Sequence, residues 1–347
     1  PLKSIELLFK TNRELEKYAL SKQIGFDFVA RDGLTIQGYL SLPPNAQLKQ
    51  PEDVRDEDKQ LAEQGMIPEH PQKMVLRVHG GPNSRDYYDF NMRNAFMTSR
   101  GYAVMEVNFR GSTGFGKKLL NAGNGEWSRK MHYDLLDAVE FAVEKGIANR
   151  SAVAIMGSSY GGYATLVGLT FTPDVFACGI DLYGPTNLVS LLETMPPYWR
   201  EYREELKKWT GGDIQTEEGR QELIARSPLF LAHQVKKPLL IIQGGNDARV
   251  KQSEPEQFVQ ALQNHSIPYT FAVFPDEGHG FRRIPNLLAQ TGLVDKFLYE
   301  CLGGDYQPFT SGQYNESAIV KSYGVESNKT DLIIDSSSNY KFGGSIS

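Results

Sequence analysis

The chain has 347 residues, 40% of them hydrophobic and 23% charged, which are ordinary values for a globular protein and enough to bury one large α/β core. Its formal net charge is −5, and its lysines and arginines are dispersed. There is no basic footprint for a phosphate backbone, and nucleic acid is not an expected partner. No apolar run approaches the roughly 18–20 residues that a membrane span requires, and residues 1–22 lack the apolar centre of a signal peptide. A chain that opens on Pro1 reads as a fragment or processed product; a leader could have been lost, and the compartment stays open.

Residues 1–23 read as a linker or short helical segment. Residues 24–31 and 34–43 flank Asp32-Gly33, a dipeptide that favours a tight hairpin turn, so the sheet is expected to open with antiparallel strands. Residues 46–72, rich in Glu, Asp, Lys and Gln, read as a solvated insertion. Then strands alternate with segments long enough for crossover helices. Strands are expected over 74–78, 102–107, 152–156, 177–182, 238–243 and 269–274, which predicts a largely parallel, doubly wound sheet within residues 24–302. Residues 184–212 are dense in aromatics and charge and interrupt this alternation, as a cap or pocket wall would. Residues 303–347, rich in Ser, Gly, Asn and Tyr, read as a tail that is loosely ordered or docked on a partner. Cys178 and Cys301, the only cysteines, each lie in an apolar setting and read as buried thiols.

The run 152–156 leads directly into Gly157-Ser158-Ser159-Tyr160-Gly161. A strand, then G-x-S-x-G, then a helix describes a nucleophile elbow, in which flanking glycines let a strained turn push a serine oxygen outward. Ser159 is the bracketed serine. A serine hydroxyl is a poor nucleophile at neutral pH, so it needs a base, and that base needs an orienting acid. Asp247 lies just past the strand 238–243, and His279 lies in the turn-rich loop after 269–274, in the order Ser, Asp, His. Asp276 is the rival acid, but only three residues from His279 it fits a turn former better. His70, His132, His233 and His265 sit in polar or charged surroundings and read as surface or structural residues. His79 instead begins His79-Gly80-Gly81-Pro82 directly after a strand. That position suits a loop donating one backbone N–H to an oxyanion, here from Gly81, with the second from Tyr160.

Four segments together resemble the catalytic domain of prolyl oligopeptidase family serine peptidases, in particular the acylaminoacyl-peptidase-like branch. They are His79-Gly80-Gly81-Pro82, the run Asn108-Phe109-Arg110-Gly111-Ser112-Thr113-Gly114-Phe115-Gly116, the elbow from Gly157 to Tyr163, and Asn246-Asp247-Ala248-Arg249-Val250 with Gly278-His279. The resemblance implies an α/β-hydrolase fold and cleavage of short peptides through an acyl-enzyme, with Ser159 as nucleophile, Asp247 as orienter and His279 as base. It also implies that Arg249 binds a substrate carbonyl, a task that suits a fixed cationic fork; the alternative is a surface salt bridge. Tyr160 and some of Tyr198, Trp199 and Tyr202 are expected to line an apolar pocket for the residue before the scissile bond, ordinary packing of a helical excursion being the alternative.

Family members usually carry an amino-terminal β-propeller. No repeat of 40–50 residues occurs here, so a propeller would belong to a part missing from this chain. Neither H-E-x-x-H nor a paired-cysteine spacing is present, and no metal is expected. The glycines of 111–116 lack the Gly-Lys-Ser/Thr ending of a phosphate loop and read as a turn packed beside the site, so no cofactor is expected. An esterase would use the same apparatus, and a non-catalytic binding domain is the alternative from a different class.

Overall fold

The computed structural model describes residues 6, 8–10, 12–310 and 312–324. In chain order its elements are β1 (Gln23–Val29), β2 (Thr35–Ser41), α1 (Lys59–Glu63), β3 (Gln72–Val78), α2 (Met92–Ser99), β4 (Ala103–Asn108), α3 (Gly116–Ala122), α4 (Lys130–Glu144) and β5 (Ala148–Ser158). There follow α5 (Tyr160–Thr170), β6 (Cys178–Leu182), α6 (Leu188–Glu193), α7 (Arg200–Thr210), α8 (Glu217–Ala225), β7 (Leu239–Gly244), α9 (Ser253–Asn264), β8 (Tyr269–Phe274), α10 (Ile284–Leu302) and β9 (Ile319–Tyr323).

One nine-stranded sheet runs in the order β1-β2-β4-β3-β5-β6-β7-β8-β9. The pairings β1·β2 and β2·β4 are antiparallel, those from β4 through β8 are parallel, and β8·β9 is antiparallel again. The α/β-hydrolase reading and the antiparallel opening therefore hold. Alternation explains β1, where Phe26 and Phe28 turn inward while Asp27 and Val29 face out. The interior strands β4, β6 and β7 are buried at every position, as a sheet covered on both faces requires. Helix α4 buries Met131, Leu135, Ala138, Val139 and Ala142, a stripe at helical spacing, whereas α5 is buried all round and forms the centre of one face.

One expectation needs correction, and two segments gain detail. Cys178 and Cys301 are not free thiols but form a disulfide across 123 residues, because α10 packs over the sheet face on which Cys178 lies. The tail is docked as far as it is described: β9 extends the sheet edge beside β8, and Phe309 is buried against Gly292 on α10. Residues 325–347 lie outside the described residues. The insertion 46–72 is largely exposed, as expected, yet anchored, with Met66 and Ile67 buried and Asp58 accepting hydrogen bonds from Arg55 and from Lys145 just past α4.

Candidate active site

Ser159 stands between the end of β5 and the start of α5 with φ 58° and ψ −118°, a backbone conformation unfavourable for a residue with a side chain. The strain is held by close approaches that only glycine allows. A Cβ on Gly157 would lie 2.5 Å from the Gly161 carbonyl carbon, and one on Gly161 would lie 2.1 Å from the Val78 carbonyl oxygen. The first turn of α5 therefore presses directly on β5 and on the end of β3, leaving the serine side chain as the part that projects.

Two further loops meet it. His279 Nε2 lies 2.9 Å from Ser159 Oγ, and His279 Nδ1 lies 2.7 Å from Asp247 Oδ2. The carboxylate accepts from the Nδ1–H, which leaves the Nε2 lone pair of the neutral ring facing the serine hydroxyl. Asp247 Oδ1 accepts from the backbone N–H groups of Arg249 (2.8 Å) and Val250 (3.0 Å), so the loop after β7 fixes the carboxylate that fixes the imidazole. The edge of the Tyr183 ring meets the imidazole at 5.0 Å between centroids, restricting its remaining freedom. Asp276, the rival acid, bonds Asn286 and Ser317 and pairs with Arg283, a structural role away from the imidazole.

His79 is buried and serves the loop. Its Nδ1–H donates to the Gly80 carbonyl at 2.8 Å, which leaves Nε2 to accept from Ser112 Oγ at 3.0 Å, and the ring stacks on Phe109. Burial lowers its pKa and favours the neutral ring that this pattern needs. The glycine-rich turn is pinned in its place by Arg110, buried between Asp134 and Asp32. Gly81 has φ +120°, and both Gly81 and Tyr160 open onto the cavity that contains Ser159 and His279. Tyr160 is the first residue of α5, where N–H groups lack an intrahelical acceptor.

That cavity holds about 380 Å³ and is walled chiefly by Trp127, Tyr160, Leu191, Met195, Trp199, Tyr202, Leu206 and Val250. Of the three candidate aromatics, Trp199 and Tyr202 line this cavity. Tyr198 does not: it is 80% exposed and outside the cavity, edge-on to Trp199. Sequence reasoning missed Trp127, Leu191, Met195 and Leu206, which come from the turn before α4, the α6 segment and α7. Arg249 lines the mouth, and among the described residues no carboxylate pairs with its guanidinium. Beneath the elbow, Asp181 at the end of β6 is wholly buried. Its Oδ1 accepts from Gly184 N at 2.8 Å, its Oδ2 has no partner, and burial pushes its pKa up to about 8.

Ser159, His279 and Asp247 thus stand in hydrogen-bonded series at the carboxyl ends of the parallel strands of an α/β-hydrolase fold. The sequence model of the prolyl oligopeptidase family matches residues 88–305, more than half of the chain, and the chain belongs to that family of serine peptidases. It is 61% identical over 324 residues to dipeptidyl peptidase family member 6 of Caenorhabditis elegans, covering 93% of this chain and 44% of that protein. It is 51% identical over 301 residues to dipeptidyl aminopeptidase BIII of Pseudoxanthomonas mexicana, covering 87% of this chain and 42% of that protein. The chain thus spans less than half the length of these relatives. Among solved structures, a puromycin-hydrolyzing peptidase of Mycobacterium tuberculosis superposes with TM-score 0.70 at 28% identity, covering 82% of this chain and 40% of that one. No helix among the described residues is long and apolar enough to cross a membrane.

Proposed function

We propose that this chain is the catalytic part of a serine peptidase that hydrolyses short peptides through an acyl-enzyme. The observation that carries this reading is the unbroken series Asp247–His279–Ser159, with distances of 2.7 and 2.9 Å. Ser159 Oγ attacks the substrate carbonyl while its proton passes to His279 Nε2, and Asp247 stabilises the imidazolium that results. The N–H groups of Tyr160 and Gly81 receive the developing oxyanion. His279 then gives the proton to the leaving amine, and a water, activated by the same imidazole, releases the acyl group and restores Ser159.

The apolar cavity accepts the side chain before the scissile bond, and its volume of about 380 Å³ suits a bulky apolar one. The unpaired Arg249 guanidinium donates to a substrate carbonyl at the mouth. The names of the two relatives, a dipeptidyl peptidase and a dipeptidyl aminopeptidase, favour release of dipeptides from a free amino terminus. Profiling a mixed peptide library with the purified chain tests this directly. Cleavage after bulky apolar residues, giving dipeptides, is expected. Turnover of short-chain acyl esters without any peptide cleavage assigns an esterase instead, and turnover of neither class contradicts catalysis.

A further inference from the structure

Glu254 is the second residue of α9 and is 1% exposed, yet it lies outside the triad and its cavity. Its Oε2 accepts from the backbone N–H groups of Thr186 and Asn187, each at 2.9 Å, and Oε1 accepts from Ser190 Oγ. The Thr186 hydroxyl returns the connection by donating to the Glu254 carbonyl at 2.7 Å. Gln257, one turn further along α9, donates to Ser190 Oγ at 3.1 Å and accepts from Asn187 Nδ2 at 3.3 Å. Both carboxylate oxygens are therefore occupied, in contrast to the half-satisfied Asp181. Burial raises the Glu254 pKa, and the bonds from Ser190, Asn187 and Thr186 work against that rise.

What these bonds join is specific. On one side α9 follows directly from the loop that carries Asp247, Arg249 and Val250, with Glu254 N donating to the Lys251 carbonyl. On the other, Thr186, Asn187 and Ser190 belong to the start of α6, and this segment supplies Pro185, Leu191 and Met195 to the cavity wall. Helix α6 has only six residues, too few to hold its place by its own hydrogen bonds. Its position relative to the acid loop is set where its first turn meets the carboxylate.

We propose that Glu254 is a positioning residue for substrate selection: it fixes the α6 wall of the cavity against the Asp247 loop and so sets which side chains fit before the scissile bond. The inference rests on the reading of this cavity as the pocket for that side chain. The test compares wild type, Glu254→Ala, Glu254→Gln and Ser190→Ala on two chromogenic peptide amides differing only in that residue, phenylalanine or alanine. For Glu254→Ala we expect KM for the phenylalanine substrate to rise about tenfold, while kcat for the alanine substrate stays within about twofold of wild type. Glu254→Gln, whose amide oxygen still accepts the two backbone N–H groups, restores the phenylalanine KM. Ser190→Ala shifts that KM in the same direction by roughly two- to threefold, and it decides the matter should Glu254→Ala not fold. Equal loss of kcat on both substrates, or no change on either, overturns the proposal. Wild type that hydrolyses neither amide overturns the peptidase reading itself, a distinct result.

Discussion

The floor of the elbow and the wall of the cavity each bury a carboxyl group, and the two are treated in opposite ways. Asp181, under α5, has one hydrogen bond and an unpartnered oxygen, while Glu254, beside α6, has donors on both oxygens. The elbow draws its precision from backbone: Gly157, Gly161 and Gly162 let β3, β5 and α5 touch, and a Cβ on Gly162 would lie 2.2 Å from Asp181 Oδ1. The α6 segment of the wall packs its apolar residues into the core but is tied to α9 by side-chain bonds, those of Glu254 and Gln257. Ser159, the proposed nucleophile, therefore sits on a part of the molecule with little room for variation, and the proposed pocket wall on a part where one polar residue can shift a helix.

The largest expected effect that separates the regions is Gly161→Ala. Its methyl group would overlap the Val78 carbonyl at 2.1 Å, with no flexible side chain to yield, and the expected loss is about 3–4 kcal/mol in urea unfolding with activity abolished. A loss under 1 kcal/mol with full activity would break the contrast.

Asp181→Asn should sharpen it. The folded pKa near 8 lies above the unfolded value near 4, so the native state keeps a proton that the unfolded chain releases, and this group's contribution to stability declines as pH rises from about 4 to 8. The asparagine variant has no such proton. Its unfolding free energy relative to wild type should climb by a few kcal/mol between about pH 4 and pH 8 and level off above. A difference that does not change with pH would contradict a neutral buried acid.

The smallest effects lie in the wall. Trp199→Ala is expected to raise KM for a substrate with phenylalanine before the scissile bond by roughly tenfold, and Tyr198→Ala to leave it within about twofold, because only the first ring lines the cavity. Equal effects of the two substitutions, measured by steady-state kinetics, would show that the wall is not resolved residue by residue.

The same division governs what was legible in the sequence. Strands 102–107 and 269–274 and the elbow announce themselves through local apolar runs and glycines, and the order Ser159, Asp247, His279 follows from which loops lie at strand ends. The Trp127, Leu191, Met195 and Leu206 side chains meet only after three separate segments fold together, and no single periodicity runs through them. Tyr198 and Trp199 are neighbours in a single 3₁₀ turn, so one had to point outward, and composition alone did not say which. The disulfide was hidden for a related reason: 123 residues separate its cysteines, and only the packing of α10 on β6 brings them together. β9 was missed because IVKSY is only five residues long, has no fully buried position, and sits in a tail rich in Ser, Gly and Asn.

The most direct test is covalent. A fluorophosphonate added to the intact chain should form one adduct, mapped by mass spectrometry to Ser159, and Ser159→Ala should take up none while remaining folded. Labelling that falls on Ser158, or that persists in Ser159→Ala, or that does not occur in folded wild type, would contradict an activated serine at the turn between β5 and α5.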